Sequence, residues 1–283
     1  MDVALLMVAG GVAAGVFGSL LGLGGGLLIV PLLTIAFNLP LREAVAVSLV
    51  CVIVTSSASA GVYLERRQAN LRLGMTLELF TAMGAIAGGL VAFLLDERVL
   101  AGLFAIVLVY VALTMARGPR NAPATEAPTD ALAEDGNQPE ADPDAPDRHV
   151  RTAPDHPMGT VDRLPAGLVG SVLAGVVSAL LGVGGGIVKV PVMHLVMGVP
   201  LRIATATSNL MIGITASASA IVYVLRGGID VNAVAPTAVG VFLGATIGSR
   251  LAGRVHVGLL RLLFVAVLLF TAFEMAQRAL AST

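Results

Sequence analysis

The chain has 283 residues, 57% of them hydrophobic and only 12% charged, with a mean hydropathy of +0.92. A soluble domain carries about 25% charged residues, so this composition excludes a water-facing globule and indicates an integral membrane protein. The net charge of −1 is a balance of two unlike parts: residues 118–163 hold 10 of the 18 acids and 4 of the 17 bases. The remaining residues hold 8 acids and 13 bases, so the overall charge points to no nucleic-acid partner. The single cysteine, Cys51, excludes an intrachain disulfide and a multi-cysteine metal site. The start, Met1-Asp2, lacks the positive region of a cleaved signal peptide.

In chain order, apolar runs fall at 3–22, 26–38, 44–64, 74–95 and 99–116, and again at 164–182, 186–198, 204–225, 233–253 and 257–279. Most are long enough for a helix to cross about 30 Å of hydrocarbon. Runs 26–38 and 186–198 are too short for an ordinary crossing and predict a re-entrant or broken helix. Between the two sets, 118–163 carries 8 of the 14 prolines and few bulky apolar residues, the composition of a disordered acidic linker. The division is therefore an N-terminal membrane repeat at 1–117, a linker at 118–163 and a C-terminal membrane repeat at 164–283. Each repeat has about four hydropathy peaks and a Gly-rich broken hairpin, which makes an all-α polytopic membrane fold.

The repeats align at a fixed offset of 160 residues, where residues 16–63 match 176–223 at 22 of 48 positions. Gly22, Gly24, Gly25 and Gly26 fall on Gly182, Gly184, Gly185 and Gly186, and Pro31, Pro40, Arg42 and Tyr63 fall on Pro191, Pro200, Arg202 and Tyr223. Shared hydrophobicity matches Leu and Ala by chance, but it does not put glycines, prolines and arginines in register. Arginine placement favours inverted copies. With 65–73 in the cytoplasm, inversion puts 12 arginines inside and leaves Arg42, Arg98, Arg226 and Arg278 outside, against 10 and 6 for parallel copies. The linker is expected in the cytoplasm, and the chain in the plasma (inner) membrane, multi-pass.

Glycine costs about 1 kcal/mol per residue inside a helix, so runs 22–26 and 182–186 break their helices. A broken backbone at membrane depth needs protein or water beside it. The short helix after each run would aim free N–H groups at a wet cavity suited to an anion. Candidate substrate-binding residues are Gly24, Gly25, Gly26, Gly184, Gly185 and Gly186 at the breaks, with close packing as the alternative. Lys189, the only lysine, reads either as a fixed cation facing a solute or as a side chain snorkelling to an interface. His194 in the same segment reads as a solute ligand, a proton relay or a structural histidine. Ser48, Thr55 and Ser57 align with Ser208, Thr215 and Ser217, and Asn209 adds an amide. Each reads as a solute contact or as a back-bond to its own helix. Glu78 and Glu274 read either as proton carriers in coupled transport or as acids exposed at the interface, the simpler reading because both lie near predicted segment ends. The spacing Gly11-x-x-x-Gly15 and Gly240-x-x-x-Gly244-x-x-x-Gly248 predicts close helix contacts. No HExxH, GxSxG or dinucleotide-binding context occurs, so neither an enzyme nor a cofactor or metal site is expected.

GLGGGLLIVP and GVGGGIVKVP, followed by LPLREAVAVS and VPLRIATATS, resemble the sulfite exporter TauE/SafE family, also called the 4-toluene sulfonate uptake permease family. The resemblance covers nearly all of the chain except 118–163. It implies an inner-membrane transporter, commonly with eight hydropathy peaks, whose solute is sulfite, sulfoacetate or another organosulfur anion. Thiosulfate-importing relatives use membrane cysteines, and a lone Cys51 does not fit that branch. The acidic linker departs from a compact family member. The expected partners are the lipid bilayer and a small anionic solute, with homodimerisation open. The alternative is a non-transporting membrane scaffold that recruits a partner through the linker.

Overall fold

The computed structural model describes residues 2–20, 25–65, 71–117, 164–199, 201–251 and 257–280, and the predicted linker and Gly22 to Gly24 lie outside them. Every regular element among the described residues is helical: α1 (Asp2–Leu20), α2 (Gly26–Pro31), α3 (Leu41–Glu65), α4 (Leu71–Leu94), α5 (Glu97–Arg117), α6 (Leu164–Leu181), α7 (Gly186–Pro191), α8 (Leu201–Leu225), α9 (Val231–Leu251) and α10 (Val257–Leu280). Five of these helices are long and apolar enough to cross a membrane: α4, α5, α6, α9 and α10. Their outer faces carry exposed apolar side chains such as Leu79, Leu94, Ile106, Leu173, Phe270 and Phe273. That exterior suits hydrocarbon rather than water.

The two short apolar runs form short helices that change pitch. α2 ends at Pro31 and widens into a π turn, Leu32–Ala36; α7 ends at Pro191 and widens into Val192–Val196. Proline lacks the N–H that would close the preceding turn, and an i→i+5 turn re-satisfies the chain, as in the bond from Met197 N to Val192 O at 3.1 Å. At 1.5 Å per residue, each 11-residue unit reaches about 17 Å, too short to span a bilayer alone.

The first five helices do not form a core by themselves. α1 packs along α9, α4 along α6, α5 on α10 and α3 on α8. Glycines set the first two contacts. A β-carbon on Gly240, Gly244 or Gly248 would meet Val8 O, Val12 O or Val16 O at 2.2, 2.2 and 2.8 Å, so α1 and α9 run parallel with backbones touching. In the same way Gly84 and Gly88 meet Val172 O and Val176 O at 2.1 and 2.7 Å, which makes α4 parallel to α6. The small-residue spacing read from the sequence thus acts as helix-contact surface.

α4 also runs parallel to α8, because Gly74 touches Thr207 and Met211 while Gly89 touches Val222. Arg42, at the start of α3, lies 6.0 Å from the ring centroid of Phe93 near the end of α4. Arg226, just past the end of α8, lies 5.8 Å from the same ring, and Tyr223 packs on it at 5.1 Å. α3 therefore begins at the level where α4 and α8 end, and α3 and α8 are antiparallel.

Gly175 is the tightest of these approaches, its β-carbon position lying 2.0 Å from Thr81 O. Gly175→Val should force α4 and α6 apart and destabilise the fold by about 1–3 kcal/mol or more, the range for overpacking. Thermal melting in detergent checks this. Gly102→Ala, whose new carbon would lie an ordinary 3.7 Å from Ala279 Cβ, should melt like the parent.

Candidate functional site

The two broken segments meet. Gly25 and Gly185, with φ of 75° and 78°, hold the left-handed conformation that starts α2 and α7 without a side-chain cap. Their carbonyls accept the first turn: Gly25 O from Leu28 and Ile29 N, and Gly185 O from Val188 and Lys189 N, at 3.0–3.2 Å. A β-carbon on Gly26 would lie 2.7 Å from Gly182 O, so one bend rests on the other. Ser48 Oγ, from α3, lies 2.7 Å from Gly182 O and 3.2 Å from Gly26 O, so its single O–H donates to the nearer Gly182 O while touching a carbonyl of each bend. Gly25, Gly26, Gly182, Gly184 and Gly185 are buried; Gly186 keeps partial exposure. Val52 and Ile212 close over Gly184.

One turn of α7 leads from the second bend to a buried ion pair. Lys189 Nζ donates to Glu78 Oε2 at 2.8 Å and to Thr215 Oγ1 at 2.6 Å, and Thr215 Oγ1 donates to Glu78 Oε1 at 2.7 Å. Lys189 is 2% exposed and Glu78 5%. The lysine therefore does not snorkel. Its ammonium lies among α4, α7 and α8, and the two oxygens of one carboxylate face separate donors, the ammonium and the Thr215 hydroxyl. Burial corrects the expectation that Glu78 sits at an interface: α4 extends from Leu71, placing Glu78 two turns inside the helix and facing α8. Glu274, the other acid so read, is half-buried.

Among the described residues the ring occurs at only one of the two aligned sets of positions. At the 160-residue offset, Lys189, Glu78 and Thr215 correspond to Ile29, Ala238 and Thr55. Ile29 is fully buried and Ala238 packs on the same apolar core. The aligned positions thus hold hydrocarbon and one hydroxyl, with no charge.

The remaining predicted residues divide by what they touch. Thr55 Oγ1 bonds Val52 O, Ser57 Oγ bonds Ile53 O, and Ser217 Oγ bonds Gly213 O, all within their own helices. Such back-bonds are the common fate of hydroxyls in membrane helices. Ser208, the counterpart of Ser48, is buried with its Oγ unpartnered, and so is Ser178; both stand beside the second bend, about 3.5 Å from the β-carbon positions of Gly186 and Gly185. His194 Nδ1 pairs with Val199 O at 3.0 Å, and His194 is exposed and joins none of the ring's bonds. Gly24 lies outside the described residues, as does the side chain of Asn209.

A cleft of about 650 Å³ opens at another place, lined by Thr34, Asn38, Asp96, Glu97, Arg98 and Arg278. Arg278 Nη2 donates to Thr34 O at 2.7 Å, a carbonyl of the first π turn. Leu41 also borders this cleft, which places it at the end of the molecule where Arg42 and Arg226 flank Phe93.

The different states of Ser48 and Ser208 are separable. Ser48→Ala leaves the buried Gly182 carbonyl short of its donor and should cost about 1–3 kcal/mol. Ser208→Ala removes a hydroxyl that satisfies nothing and should be neutral or stabilising in the same melting measurement.

The comparisons with known proteins agree with this architecture. Residues 7–275 match the family described as Sulfite exporter TauE/SafE. The chain is 23% identical over 274 residues to the probable membrane transporter protein YunE of Bacillus subtilis, covering 93% of this chain and 95% of that protein. It is 31% identical over 118 residues to the probable membrane transporter protein MJ0441 of Methanocaldococcus jannaschii, covering 40% of this chain and 44% of that one. No solved structure matches it. With a family match across nearly its whole length and several helices fit to cross a bilayer, the chain is a multi-pass membrane protein of the sulfite exporter TauE/SafE family, a family of membrane transporters.

Proposed function

We propose that the chain is a secondary transporter that carries a small anion, a sulfur oxyanion or organosulfonate such as sulfite or sulfoacetate, across the plasma membrane. The observation that carries this reading is Lys189: a single ammonium, 2% exposed, held between α4 of the first half and α7 and α8 of the second. A charge at bilayer depth costs at least about 2.5–3.5 kcal/mol and is a functional residue by default. The family match supports the solute class.

The site comprises the touching bends at Gly25, Gly26 and Gly184 to Gly186, Lys189 and Thr215, and the bridging Ser48, with Ser208 as an unused donor. Gly24 and Asn209 stand as candidates from the sequence, and Thr55, Ser57, Ser217 and His194 are secondary candidates, reached only if the helices rearrange. Two repeats related by inversion would work by alternating access around these bends. Inversion is supported by antiparallel α3 and α8, which are equivalents at the 160-residue offset. It is supported again by the arginines: Arg42, Arg98, Arg226 and Arg278 gather at one end. The opposite, arginine-rich end and the 118–163 linker then face the cytoplasm.

Purified protein in proteoliposomes should exchange labelled sulfite for unlabelled sulfite and organosulfonates, and not for neutral sugars. Lys189→Met should cut the exchange about tenfold, a loss of about 1.4 kcal/mol of stabilisation. Unchanged affinity in that variant would remove the lysine from the site. A chain lacking 121–160 should exchange at the parental rate; loss of exchange in a well-folded deletion would favour a linker-centred scaffold.

A further inference from the structure

The ring around Lys189 has a feature that packing does not explain. A buried ion pair gives little net stability, and well-packed apolar residues of similar volume do as well or better. The aligned positions of this molecule carry that replacement in sequence: Ile29, fully buried, and Ala238, packed on the apolar core, stand there with no charge. The fold therefore does not require Lys189 and Glu78 to close the interface. What the charged niche adds is an anion, the Glu78 carboxylate, coordinated by an ammonium and a hydroxyl through both of its oxygens. A sulfite or sulfonate headgroup presents the same chemistry, oxygens sharing negative charge and spaced to accept two donors.

We infer that Glu78 is an internal stand-in for the transported anion, and that solute and Glu78 carboxylate occupy Lys189 and Thr215 by turns. The inference rests on the transporter reading and deepens it. For the solute to replace the carboxylate, Glu78 must leave without becoming an unpaired buried charge, which is strongly unfavourable. Taking up one proton achieves this. The carboxylate becomes a neutral acid, Lys189 and Thr215 turn to the incoming anion, and the charge at the site is unchanged. On release of the anion the acid gives its proton to water on that side and the carboxylate returns to the lysine. One proton thus travels with each anion.

Among the described residues no other charged group pairs with Lys189 or Glu78, and His194, just past α7, is exposed and paired with Val199 O. α6 has no charged residue, and the charged residue of α8 is Arg202 at its start, 13 residues before Thr215. On α4, past Arg72 in its first turn, Glu78 is the charged residue. Thr215 Oγ1 also lies 3.2 Å from Met211 O, so its hydroxyl has a second acceptor when the carboxylate swings away.

Labelled sulfite in proteoliposomes distinguishes the possibilities. A gradient of one pH unit coupled to one proton supports about tenfold accumulation. The parent should exchange sulfite at equal pH and accumulate it under the gradient. Glu78→Gln, a permanent mimic of the neutral acid, should still exchange but accumulate no more with the gradient than without it. Empty vesicles under the same gradient give the blank for sulfite's own ionisation. A Glu78→Gln protein that accumulates sulfite like the parent overturns the inference and leaves the transporter reading intact. A parent that exchanges no sulfite or sulfonate overturns the transporter reading itself. Should Glu78→Gln not fold, the double variant Glu78→Gln with Lys189→Met, uncharged like the aligned positions, takes its place. It should show no response to the gradient, and gradient-driven accumulation by it would equally refute the proton role.

Discussion

A peptide group that leaves a helix inside a bilayer has no water to bond, and that constraint orders this molecule. Both helix breaks occur at glycine runs, and each is satisfied by protein. The carbonyls of Gly25 and Gly185 cap their own short helices, while the Ser48 hydroxyl donates to Gly182 O and touches Gly26 O. The breaks can exist only because they face one another, so the contact between them fixes how the first five helices meet the last five. The remaining pairings follow the same exchange: α1 lies on α9 and α6 on α4, each along a stripe of glycines. A chain built this way has no separable halves.

Movement in such a structure is restricted to what the glycine contacts allow. Parallel helices with backbones in contact resist being pulled apart, since every added atom meets a carbonyl. The α3–α8 and bend contacts are different in kind. They are made by Ser48, Val52, Ile212 and the Lys189 ring, side chains that can exchange partners. The charged ring is also the point where the two halves differ most, so it breaks the symmetry of an otherwise balanced assembly. An unsymmetrical charge at a symmetrical interface is suited to binding one solute at a time rather than two.

Much of the architecture was legible in the residues. Glycine runs followed five residues later by proline marked the broken segments, and small residues every fourth position marked helix-contact faces, though not that α1 and α9 were each other's partners. Lys189 stood out as the lone lysine in an apolar run. Its partner did not. Glu78 is 111 residues away and its position near a predicted segment end suggested exposure, whereas α4 begins early enough to bury it. A usable signal existed in the repeat alignment. Lys189 against Ile29 and Glu78 against Ala238 are departures of opposite charge within one duplicated frame, and opposite departures are the expected mark of a pair. The hydroxyls were beyond reach of such reasoning. Ser48 and Ser208 are identical in type and register, yet one touches a carbonyl of each bend and the other bonds nothing, a difference that residue type does not record.

The central claim is that an anion takes the place of the Glu78 carboxylate on Lys189 and Thr215. Its most direct test is a structure of the protein in lipid with selenite, the heavier analogue of sulfite, collected at acidic pH so that the selenium is located by its anomalous signal. The account predicts a selenium peak in contact with Lys189 Nζ and Thr215 Oγ1, with the Glu78 side chain turned away. Selenium found only in the cleft of Arg98 and Arg278, with the Lys189–Glu78 pair intact, would contradict it.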